Sequence, residues 1–465
     1  EKLAIRNLKD LEKAAKAHTI APLFGFGERT EKNILEGLEF LKRSKGRFLL
    51  GEILPRVKEI KKKLESFKEV EQISVAGSVR RMKETIGDVD FLVVSKSPKR
   101  VMDFFISLPG IVKVWGKGAT KSSVRLKEGF DMDIRVVPAR SYGSALQYFT
   151  GSKEHNIVTR RIAMDKGLKL SEYGLFRGSK MIAGNKEEEI YRILGMEFMP
   201  PEMREDQGEI EAALSNKLPK IVGYKDIQGD LHCHSNWDGG VNTIEEMARA
   251  GIAMGYEYIG ISDHTKFLRI EKGLNEKQLA RQRKEIDRLN SKLKSQKSKF
   301  QILHGCEANI LNDGSIDIKD ESLSRLDYVI AGIHSNLKLS KDKMTERIIR
   351  AMKNPNVDII SHPTGRILKR RDEYQIDFDK VLKMAKMTGT ILEINSSPKR
   401  LDLNDRNIRR AKEAGVKMVI NTDSHRKEQL KFIELGISQA RRGWAERENI
   451  INTCHLEKLL KFFRR

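Results

Sequence analysis

The sequence has few cysteines and no long apolar segment. Its 465 residues include three cysteines, Cys233, Cys306 and Cys454, which are too few for the disulfide framework of a small secreted protein. No apolar run is long enough to cross a membrane, and we expect no signal peptide. The sequence therefore argues against secreted and membrane-spanning proteins and predicts a reducing, cytoplasmic environment.

Acidic residues are scarce relative to basic ones. The chain has 65 acidic and 88 basic residues, a formal net charge of +23, and both halves carry part of the surplus. A positive charge spread in this way is typical of a protein that binds nucleic acid. A Lys-rich and Glu-rich surface of the thermophilic kind is the alternative, but it explains the density of charge and not its sign.

A chain of this length predicts two or three domains. Residues 200–224 contain a Pro-Pro break, an acidic cluster and few large apolar residues, so we place the main boundary near residue 216. Because the sequence starts at Glu1 rather than Met, in the middle of a helical pattern, we interpret it as a fragment that lacks an N-terminal portion.

Residues 77–91, GSVRRMKETIGDVDF, begin with a pattern suited to phosphate binding. Gly77 and Ser78 follow a short apolar strand and predict a tight turn whose backbone N–H groups can hold a phosphate. Arg80 and Arg81 come close behind and supply charged donors.

Paired carboxylates follow on two predicted strands. In DVDFLVV, Asp88 and Asp90 alternate, so both carboxylates project to one face, as Mg2+ binding through oxygen ligands requires. A turn before an apolar strand is the alternative interpretation of this pair. A third carboxylate lies on FDMDIRVV, where Asp131 and Asp133 share a face and periodicity does not choose between them.

Taken together, these motifs resemble the signature of family X DNA polymerases, which are related to polymerase beta. The resemblance continues in residues 144–177, where YFTGS followed by a helix matches the nucleotide-binding region of these enzymes. It implies a nucleotidyltransferase-type core with helical fingers, palm and thumb. It also selects Asp133 as the third catalytic and metal-binding carboxylate beside Asp88 and Asp90, because the family's residue stands directly before a hydrophobic residue and Arg.

The resemblance implies further contacts around the carboxylates. Ser78 and Arg81 would hold the departing pyrophosphate. Tyr148 and Phe149 would form an aromatic wall against the sugar that disfavours a 2′-hydroxyl, and Gly151 permits a backbone kink. The set implied to bind nucleotide is Gly77, Ser78, Arg81, Gly87, Tyr148, Phe149, Gly151 and Asn156.

Contacts with DNA are implied for Gly25, Gly27 and Arg160. The two glycines lie in a loop between predicted helices, the second over residues 31–42, which resembles a helix-hairpin-helix that presents backbone N–H groups to a phosphate. A structural turn is the alternative interpretation. By resemblance Asn156 contacts a base in the minor groove and Arg160 the template strand; each is otherwise an ordinary exposed helix residue.

One position departs from the family pattern. Relatives commonly have Ser before the glycine of the GDxD motif, where this chain has Ile86. A hydroxyl contact to the triphosphate would be missing, which affects the expected nucleotide affinity but not the carboxylate site.

Beyond residue 226, apolar runs end in polar residues with regular spacing. Seven such runs are separated by helical patterns: DLHCH, YIGISDH, QILHGCEAN, YVIAGIHSN, VDIISHP, TILEINSS and KMVINTDSH. This alternation of strand and helix predicts a parallel α/β barrel whose ligands gather at the C-terminal ends of the strands.

Six of the ten histidines end these runs. His232 and His234 alternate on one strand, so their rings point the same way, and Asp423 and His425 repeat this arrangement on the last strand. Glu307, at the end of its own strand, can bridge two ions through its two oxygens. A single strand-end His is more often structural, whereas this combination predicts a metal cluster. The six are His232, His234, His264, His334, His362 and His425.

This half resembles the PHP domain over residues 227–430, through the motifs HxH, DH, E, H, HP and DxH. The resemblance implies a distorted (β/α)7 barrel that holds up to three Mn2+ or Zn2+ ions for phosphoester hydrolysis. Relatives often read WSDG after HxH, where this chain has WDGG, so Asp238 is a displaced ligand. Glu393 either orients ligands or is a core-edge Glu. The implied ligands are His232, His234, Asp238, His264, Glu307, His334, His362, Asp423 and His425.

We therefore interpret the chain as an α/β multidomain enzyme of the bacterial and archaeal family X type with a C-terminal PHP domain. The expected ranges are a helical fingers segment with the glycine loop in 1–55, a palm in 56–139, a thumb in 140–205, a linker in 206–226 and the PHP domain in 227–465.

The expected function is gap filling in DNA repair by a Mg2+-dependent DNA polymerase, joined to a phosphoesterase that acts as 3′–5′ exonuclease, 3′-phosphatase or abasic-site endonuclease. Gapped or primer-template DNA and dNTPs are the expected partners of a monomer that works without a membrane, in the cytoplasm and associated with the nucleoid. The alternative is a PHP nuclease whose polymerase half serves only as a DNA-binding platform. The many metal-type ligands argue against a purely structural DNA-binding protein.

Overall fold

The computed structural model of the chain describes residues 3, 5, 7–23, 25–28, 30–32, 34, 35, 38 and 46–463. Helix α1, Leu8–Lys16, begins at Asn7, whose side chain accepts backbone hydrogen bonds of the first turn. The glycine loop follows, closed by the buried Glu31 carboxylate, which accepts two backbone hydrogen bonds from residues before the loop. Residues 28, 30–32, 34, 35 and 38 are helical, and the rest of the helix predicted to reach Lys42 lies outside the described residues.

A five-stranded mixed sheet follows the N-terminal segment. In chain order the elements are β1 Phe48–Leu49, α2 Leu50–Glu65, β2 Gln72–Val75, α3 Gly77–Arg80, β3 Thr85–Ile86, β4 Asp88–Val94, α4 Pro98–Ile106, β5 Ile111–Lys117, β6 Lys121–Leu126 and β7 Asp131–Val137. The strand order of the sheet is β2-β4-β7-β6-β5, with β4 and β7 parallel and the other pairs antiparallel, while β1 and β3 pair separately.

Alternation along β4 separates the core from the site. Val89, Phe91 and Val93 are buried with apolar residues of α2 and α4, because successive side chains of a strand point to opposite faces. Asp88 and Asp90 consequently lie on the other face.

A smaller unit with its own apolar core follows. Its elements are α5 Tyr142–Thr150, α6 Lys153–Asp165, β8 Lys169–Ser171, β9 Gly174–Arg177, β10 Lys180–Ala183, α7 Glu187–Ile193 and α8 Glu209–Leu214. The three strands form an antiparallel sheet in the order β10-β9-β8.

The C-terminal half alternates strands and helices, as the sequence predicts. All of its strand pairs are parallel. Its elements are β11 Gly229–Cys233, α9 Ile244–Ala253, β12 Tyr258–Ile261, α10 Glu276–Ser295, β13 Gln301–His304, β14 Glu307–Asn309, α11 Asp320–Leu323, β15 Ile330–Gly332, α12 Lys341–Met352, β16 Ile359–Ile360, α13 Phe378–Thr388, β17 Ile391–Asn395, α14 Asp405–Glu413, β18 Met418–Asn421, α15 Ile433–Arg442 and α16 Leu456–Leu459.

These strands form two sheets, β11-β12-β13 and β14-β15-β16-β17-β18. The run QILHGCEAN, predicted as one strand, splits into β13 and β14, because β13 pairs with β12 and β14 pairs with β15. Single bridges join the sheets at Cys233 with Ser424 and at His264 with Glu307. A (β/α)7 barrel closed as one sheet is therefore not confirmed. None of the helices in the described ranges combines the length and apolar character needed to cross a membrane.

The two halves of the chain pack against each other. Leu401 and Leu435 of the C-terminal half are buried in the same apolar cluster as residues of α2 and β4. A Cβ on Gly51 of α2 would lie 2.6 Å from Leu435, so the helix approaches closely only because this residue is glycine. Arg366 also reaches Glu84, with 2.7 Å between Nη2 and Oε2.

A buried charge network joins the halves at Arg442. Its guanidinium donates to the backbone oxygen of Arg81 at 2.8 Å, to Glu205 at 3.0 Å and to Asp405 at 2.6 Å. Arg81 Nε also donates to Glu205, at 3.0 Å. The Arg442 side chain is only 2% exposed, so the network depends on these partners rather than on water.

Replacing Arg442 by Leu should destabilise the protein by about 3 kcal/mol, because Glu205 and Asp405 would lose a buried partner. Urea unfolding followed by tryptophan fluorescence measures the change. The control is Lys58→Ala, which removes an exposed contact with Glu434 and should cost about 0.5 kcal/mol. Equal midpoints for the two variants would contradict a stabilising role for the network.

Candidate active sites

Four carboxylates meet on one face of the five-stranded sheet. Strands β4 and β7 pair in parallel with Asp88 beside Asp131 and Asp90 beside Asp133. Since all four occupy alternate positions, their side chains share a face. The structure thus brings together the three carboxylates predicted to bind Mg2+.

The contacts of Asp131 and Asp133 differ. Asp131 accepts two hydrogen bonds from Arg125, both 2.8 Å long, and a third of 2.9 Å from Trp115 Nε1. Arg125 and Trp115 hold the pKa of Asp131 below its usual value. In the part of the chain that the structure describes, Asp133 forms one ion pair, with Lys121 Nζ at 2.8 Å. This difference favours Asp133, the residue that the resemblance selects, because its oxygens are less committed.

The carboxylate of Asp90 is repelled by the neighbouring carboxylates of Asp88 and Asp133. Burial, together with the negative charges of Asp88 and Asp133, raises its pKa to about 7. A bound divalent cation would offset this repulsion through oxygen ligands, so the donor set fits Mg2+.

Gly77 is placed directly against Asp90. Its φ is +61°, and a Cβ there would lie 2.4 Å from Asp90 Oδ2. The next residues form the short helix α3, so Ser78 is the second residue of a helical turn rather than of an isolated tight turn. Gly77 therefore brings the backbone of α3 against the carboxylates, as phosphate binding beside a metal would require.

The two arginines of the motif have internal partners. Arg80 forms a two-pronged ion pair with Glu187, at 2.9 and 2.6 Å, and donates to Thr150 Oγ1. Arg81 donates to Glu205 and to the backbone oxygen of Thr150. A phosphate contact from Arg81 would require it to exchange a partner.

Phe149 of α5 lies next to the carboxylates, as predicted for a residue near the nucleotide. It lines a small cavity together with Asp90, Asp133 and Arg135, and the Arg135 guanidinium stacks 4.7 Å from its ring centroid. Tyr148 packs edge-on against Phe149 at 5.1 Å.

Asn156 is not the exposed helix residue of the alternative interpretation, since it is buried. Its oxygen accepts from Gln147 at 2.8 Å, and its amide donates to the backbone oxygen of Tyr148 at 2.7 Å. Arg160 lies over Tyr148, 6.0 Å from the ring centroid. Gly151 has φ of +70°, which agrees with the predicted kink.

The remaining positions singled out in this half are Ile86 and three glycines. Ile86 is completely buried in the apolar core that packs against the five-stranded sheet, so its side chain points away from the site. A Cβ on Gly25, Gly27 or Gly87 would meet no atom of the described residues within 4 Å. Of these glycines only Gly25, with φ of +83°, needs the freedom that glycine provides.

In the C-terminal half, Glu307 is the centre of a cluster of imidazoles. Its Oε2 lies 3.2 Å from His232 and 3.0 Å from His264. Its Oε1 lies 3.3 Å from His334 and 3.0 Å from His362. Each oxygen thus faces a different pair of rings, the arrangement expected of a carboxylate that bridges two ions.

Asp423 and His425 complete the cluster from a loop rather than from a strand. Strand β18 ends at Asn421, so the predicted repeat of the alternating pair on the last strand is wrong. Asp423 has φ of +55°, and its Oδ1 lies 3.3 Å from His234 Nε2. Glu307 likewise stands at the start of β14 and not at the end of a strand.

Three further side chains fix the orientation of the rings from behind. The Nδ1 of His232 lies 2.6 Å from Glu393. That of His234 lies 2.7 Å from Asp238, and that of His334 2.7 Å from Asn309 Oδ1. Partners of this kind set the tautomer of a metal-binding His, so Asp238 and Glu393 are placed to orient ligands.

The cluster fits divalent cations. Buried nitrogens without a hydrogen-bond partner occur on five of its rings: His232, His234, His264, His334 and His362. Burial would raise the pKa of Glu307, but His232, His264 and His334 hold it well below its usual range. Ionised carboxylates beside imidazoles that each keep one nitrogen without a hydrogen-bond partner are the donors that Zn2+ or Mn2+ binds.

The sequence interpretation missed Asp263. Its carboxylate lies within 4.8 Å of possible ligand atoms of His234 and Asp238 and accepts from Ser235 Oγ at 2.6 Å. Burial, with the charge of Asp238, raises its pKa to about 7. Its place in the DH motif, directly before His264, is the signal that was available.

Comparisons with known proteins find a different family in each half of the chain. The family description "DNA polymerase beta thumb" matches residues 145–205, and "PHP domain" matches residues 230–397. The "DNA polymerase/3'-5' exonuclease PolX" of Bacillus subtilis (strain 168) is 38% identical over 469 residues, which cover 100% of this chain and 81% of that one.

Two further similarities cover parts of the chain. A "Probable phosphatase" of Acetivibrio thermocellus is 31% identical over 205 residues, 42% of this chain and 78% of its own. The crystal structure of Leishmania infantum polymerase beta in a ternary P/T complex covers 44% of this chain and 90% of its own, at 21% identity and a TM-score of 0.31.

Proposed function

Because the chain belongs to the family X DNA polymerases that carry a PHP domain, we propose that it fills gaps in DNA during repair and trims 3′ ends. It is a DNA-directed DNA polymerase and a metal-dependent phosphoesterase. The observation that carries the proposal is the separation of two ligand sets, one around Asp90 and one around Glu307. This separation supports a polymerase site in one half and a hydrolytic site in the other.

In the polymerase site, Asp88, Asp90 and Asp133 would hold two Mg2+ ions, and Ser78 and Arg81 would face the departing pyrophosphate. Bound divalent ions supply Lewis acidity to the reacting phosphate and lower the pKa of the attacking oxygen. Gly77 keeps the N-terminal turn of α3 against Asp90. Phe149 fits a contact with the sugar of a dNTP, because it lines the same cavity as Asp90 and Asp133.

In the PHP site, we propose up to three Mn2+ or Zn2+ ions held by the predicted ligands other than Asp238. Asp238, which was predicted as a displaced ligand, and Glu393 would instead orient the rings. The substrates would be the 3′ nucleotide, a 3′-phosphate or an abasic site of DNA. The bridges at Cys233 and His264 support a distorted barrel built from the two parallel sheets. The name of the relative from Acetivibrio thermocellus is consistent with phosphoester hydrolysis.

The proposed organisation is a helical segment in 1–55, a palm in 56–139, a thumb in 140–205, a linker in 206–226 and the PHP domain in 227–465. Gapped or primer-template DNA and dNTPs would be the substrates. Gly25, Gly27 and Arg160 would contact the DNA. We propose that the enzyme acts as a monomer on the bacterial or archaeal nucleoid.

A labelled gapped duplex incubated with and without dNTPs, first in Mg2+ and then in Mn2+, tests this function. Primer extension should require dNTPs, and shortening from the 3′ end should occur without them. EDTA should stop both reactions. Absence of extension in both metals would contradict the polymerase assignment.

A second candidate function is a PHP nuclease with an inactive polymerase platform. The internal contacts of Arg81 with Glu205 and of Asn156 with Gln147 favour it, because both side chains are predicted to contact nucleotide. Primer extension by the wild type that is lost in Asp133→Ala and retained in His234→Ala would exclude this candidate.

Replacing Gly77 by Ala should lower polymerase activity about a hundredfold, because the new Cβ would displace the Asp90 carboxylate. The left-handed φ adds strain of about 1–3 kcal/mol. Single-nucleotide gap filling measures the effect, and 3′ hydrolysis by the same protein should be unchanged. The control is Gly116→Ala on β5, whose Cβ would meet no atom of the described residues within 4 Å; equal activity of the two variants would contradict the contact.

A further inference from the structure

A loop beside the histidine cluster carries two exposed apolar side chains. This rim loop, residues 265–274, follows His264 directly. Phe267 is 44% exposed and Ile270 is 85% exposed. Single exposed apolar residues are common, but two in one loop at the mouth of a polar site indicate a binding surface.

The rim loop is fixed at both ends. Thr265 and Leu274 pair as a bridge, and the Leu274 N–H donates to the backbone oxygen of His264 at 2.7 Å. Asp317 accepts from the Thr265 hydroxyl at 2.7 Å and from the Phe267 N–H at 2.9 Å. The backbone of the loop is therefore fixed next to a predicted metal ligand, and binding there needs little ordering of the loop.

The loop also contacts the turn that follows His234. A Cβ on Gly239 would lie 2.2 Å from Glu271 Oε2, so the loop rests on the residue next to Asp238, which orients His234. The loop thus lies next to the cluster at two points: at His264, which directly precedes it in the chain, and at Gly239, which is the neighbour of Asp238. Arg269 and Lys272 are exposed in the same loop and give it a positive character.

We propose that the rim loop binds the 3′-terminal nucleotide of a DNA strand, with its base against Phe267 and Ile270. Arg269 and Lys272 face the neighbouring phosphates. This inference rests on the proposed 3′ hydrolysis at the cluster. An aromatic and apolar surface suits it, because stacking is available to every base and a 3′ hydrolase acts on any terminal nucleotide.

Hydrolysis in Mn2+ is compared on two single-stranded oligonucleotides, one with a normal 3′ nucleotide and one whose 3′ residue is abasic. Phe267→Ala should raise KM roughly tenfold on the normal strand and leave KM unchanged on the abasic strand. Phe267→Tyr should retain the wild-type KM, since it keeps the ring. The matched control is Met387→Ala on α13, which removes a side chain that is 70% exposed on an outer helix of the same half.

A second measurement needs no turnover. Affinity for an oligonucleotide with 3′-terminal 2-aminopurine is measured by fluorescence in EDTA, and Phe267→Ala should weaken it roughly tenfold. If the wild type binds this oligonucleotide more tightly than Phe267→Ala does but hydrolyses neither strand, the proposed 3′ hydrolysis is refuted, while binding of the 3′-terminal nucleotide by the rim loop is supported. Equal affinity and equal KM for wild type and Phe267→Ala would overturn the inference.

Discussion

Replacement of Asp133 by Ala is expected to reduce nucleotide addition by about a thousandfold, because the site loses a metal ligand that supplies several kcal/mol in the transition state. Asp133 stands beside Asp90 in the register of β4 and β7, and its ion pair among the described residues is with Lys121. Single-turnover gap filling in Mg2+ measures the effect.

The control for this prediction is Asp131→Ala, two residues earlier on the same strand and face. Its carboxylate is engaged by Arg125 and Trp115, so its loss should affect nucleotide addition far less. Equal losses in the two variants would show that the contacts do not distinguish them. Hydrolysis of 3′ ends should persist in both, because the PHP cluster is built from other elements.

Replacement of Glu307 by Gln is expected to abolish 3′ hydrolysis, with a loss of about a thousandfold, and to leave primer extension intact. Gln keeps the size of the side chain but removes the charge that four imidazoles face. The metal content of the purified protein, measured by mass spectrometry, should fall together with the activity.

Glu285→Gln is the matched control, since Glu285 lies in the same half and accepts a hydrogen bond from Trp237 Nε1 at 2.9 Å without contacting the cluster rings. A Gln oxygen can still accept that bond, so activity and metal content should stay at wild-type values. Retention of bound metal and 3′ hydrolysis in Glu307→Gln would contradict the bridging position of Glu307.

The sequence predicts which candidate donors lie close together, because strand periodicity is local. Alternation alone puts Asp88 with Asp90 on one face, and the comparisons confirm the family that YFTGS and the HxH motif suggest. The choice between Asp131 and Asp133 needed the family pattern. In the structure the two residues are told apart by Arg125 and Trp115, which come from other strands.

The features that the sequence missed depend on tertiary contacts. Arg81 reads as a phosphate-binding residue, yet its partner Glu205 lies far along the chain and is itself held by Arg442. From the sequence, Ile86 is interpreted as the loss of a hydroxyl contact in the nucleotide site, whereas the structure shows it buried as a core residue. The parallel strands divide into two sheets because β13 pairs with β12 and β14 pairs with β15. Such pairing between distant segments cannot be predicted from a local sequence pattern.

The most direct test of two separate metal centres is a crystal structure of the protein soaked in Mn2+, with the ions located by anomalous scattering. We expect peaks at Asp90 and Asp133 in one half and on both sides of Glu307 in the other, with ligand distances of about 2.0–2.3 Å. Peaks at only one of these places, or ligation by Asp131 in place of Asp133, would contradict the account.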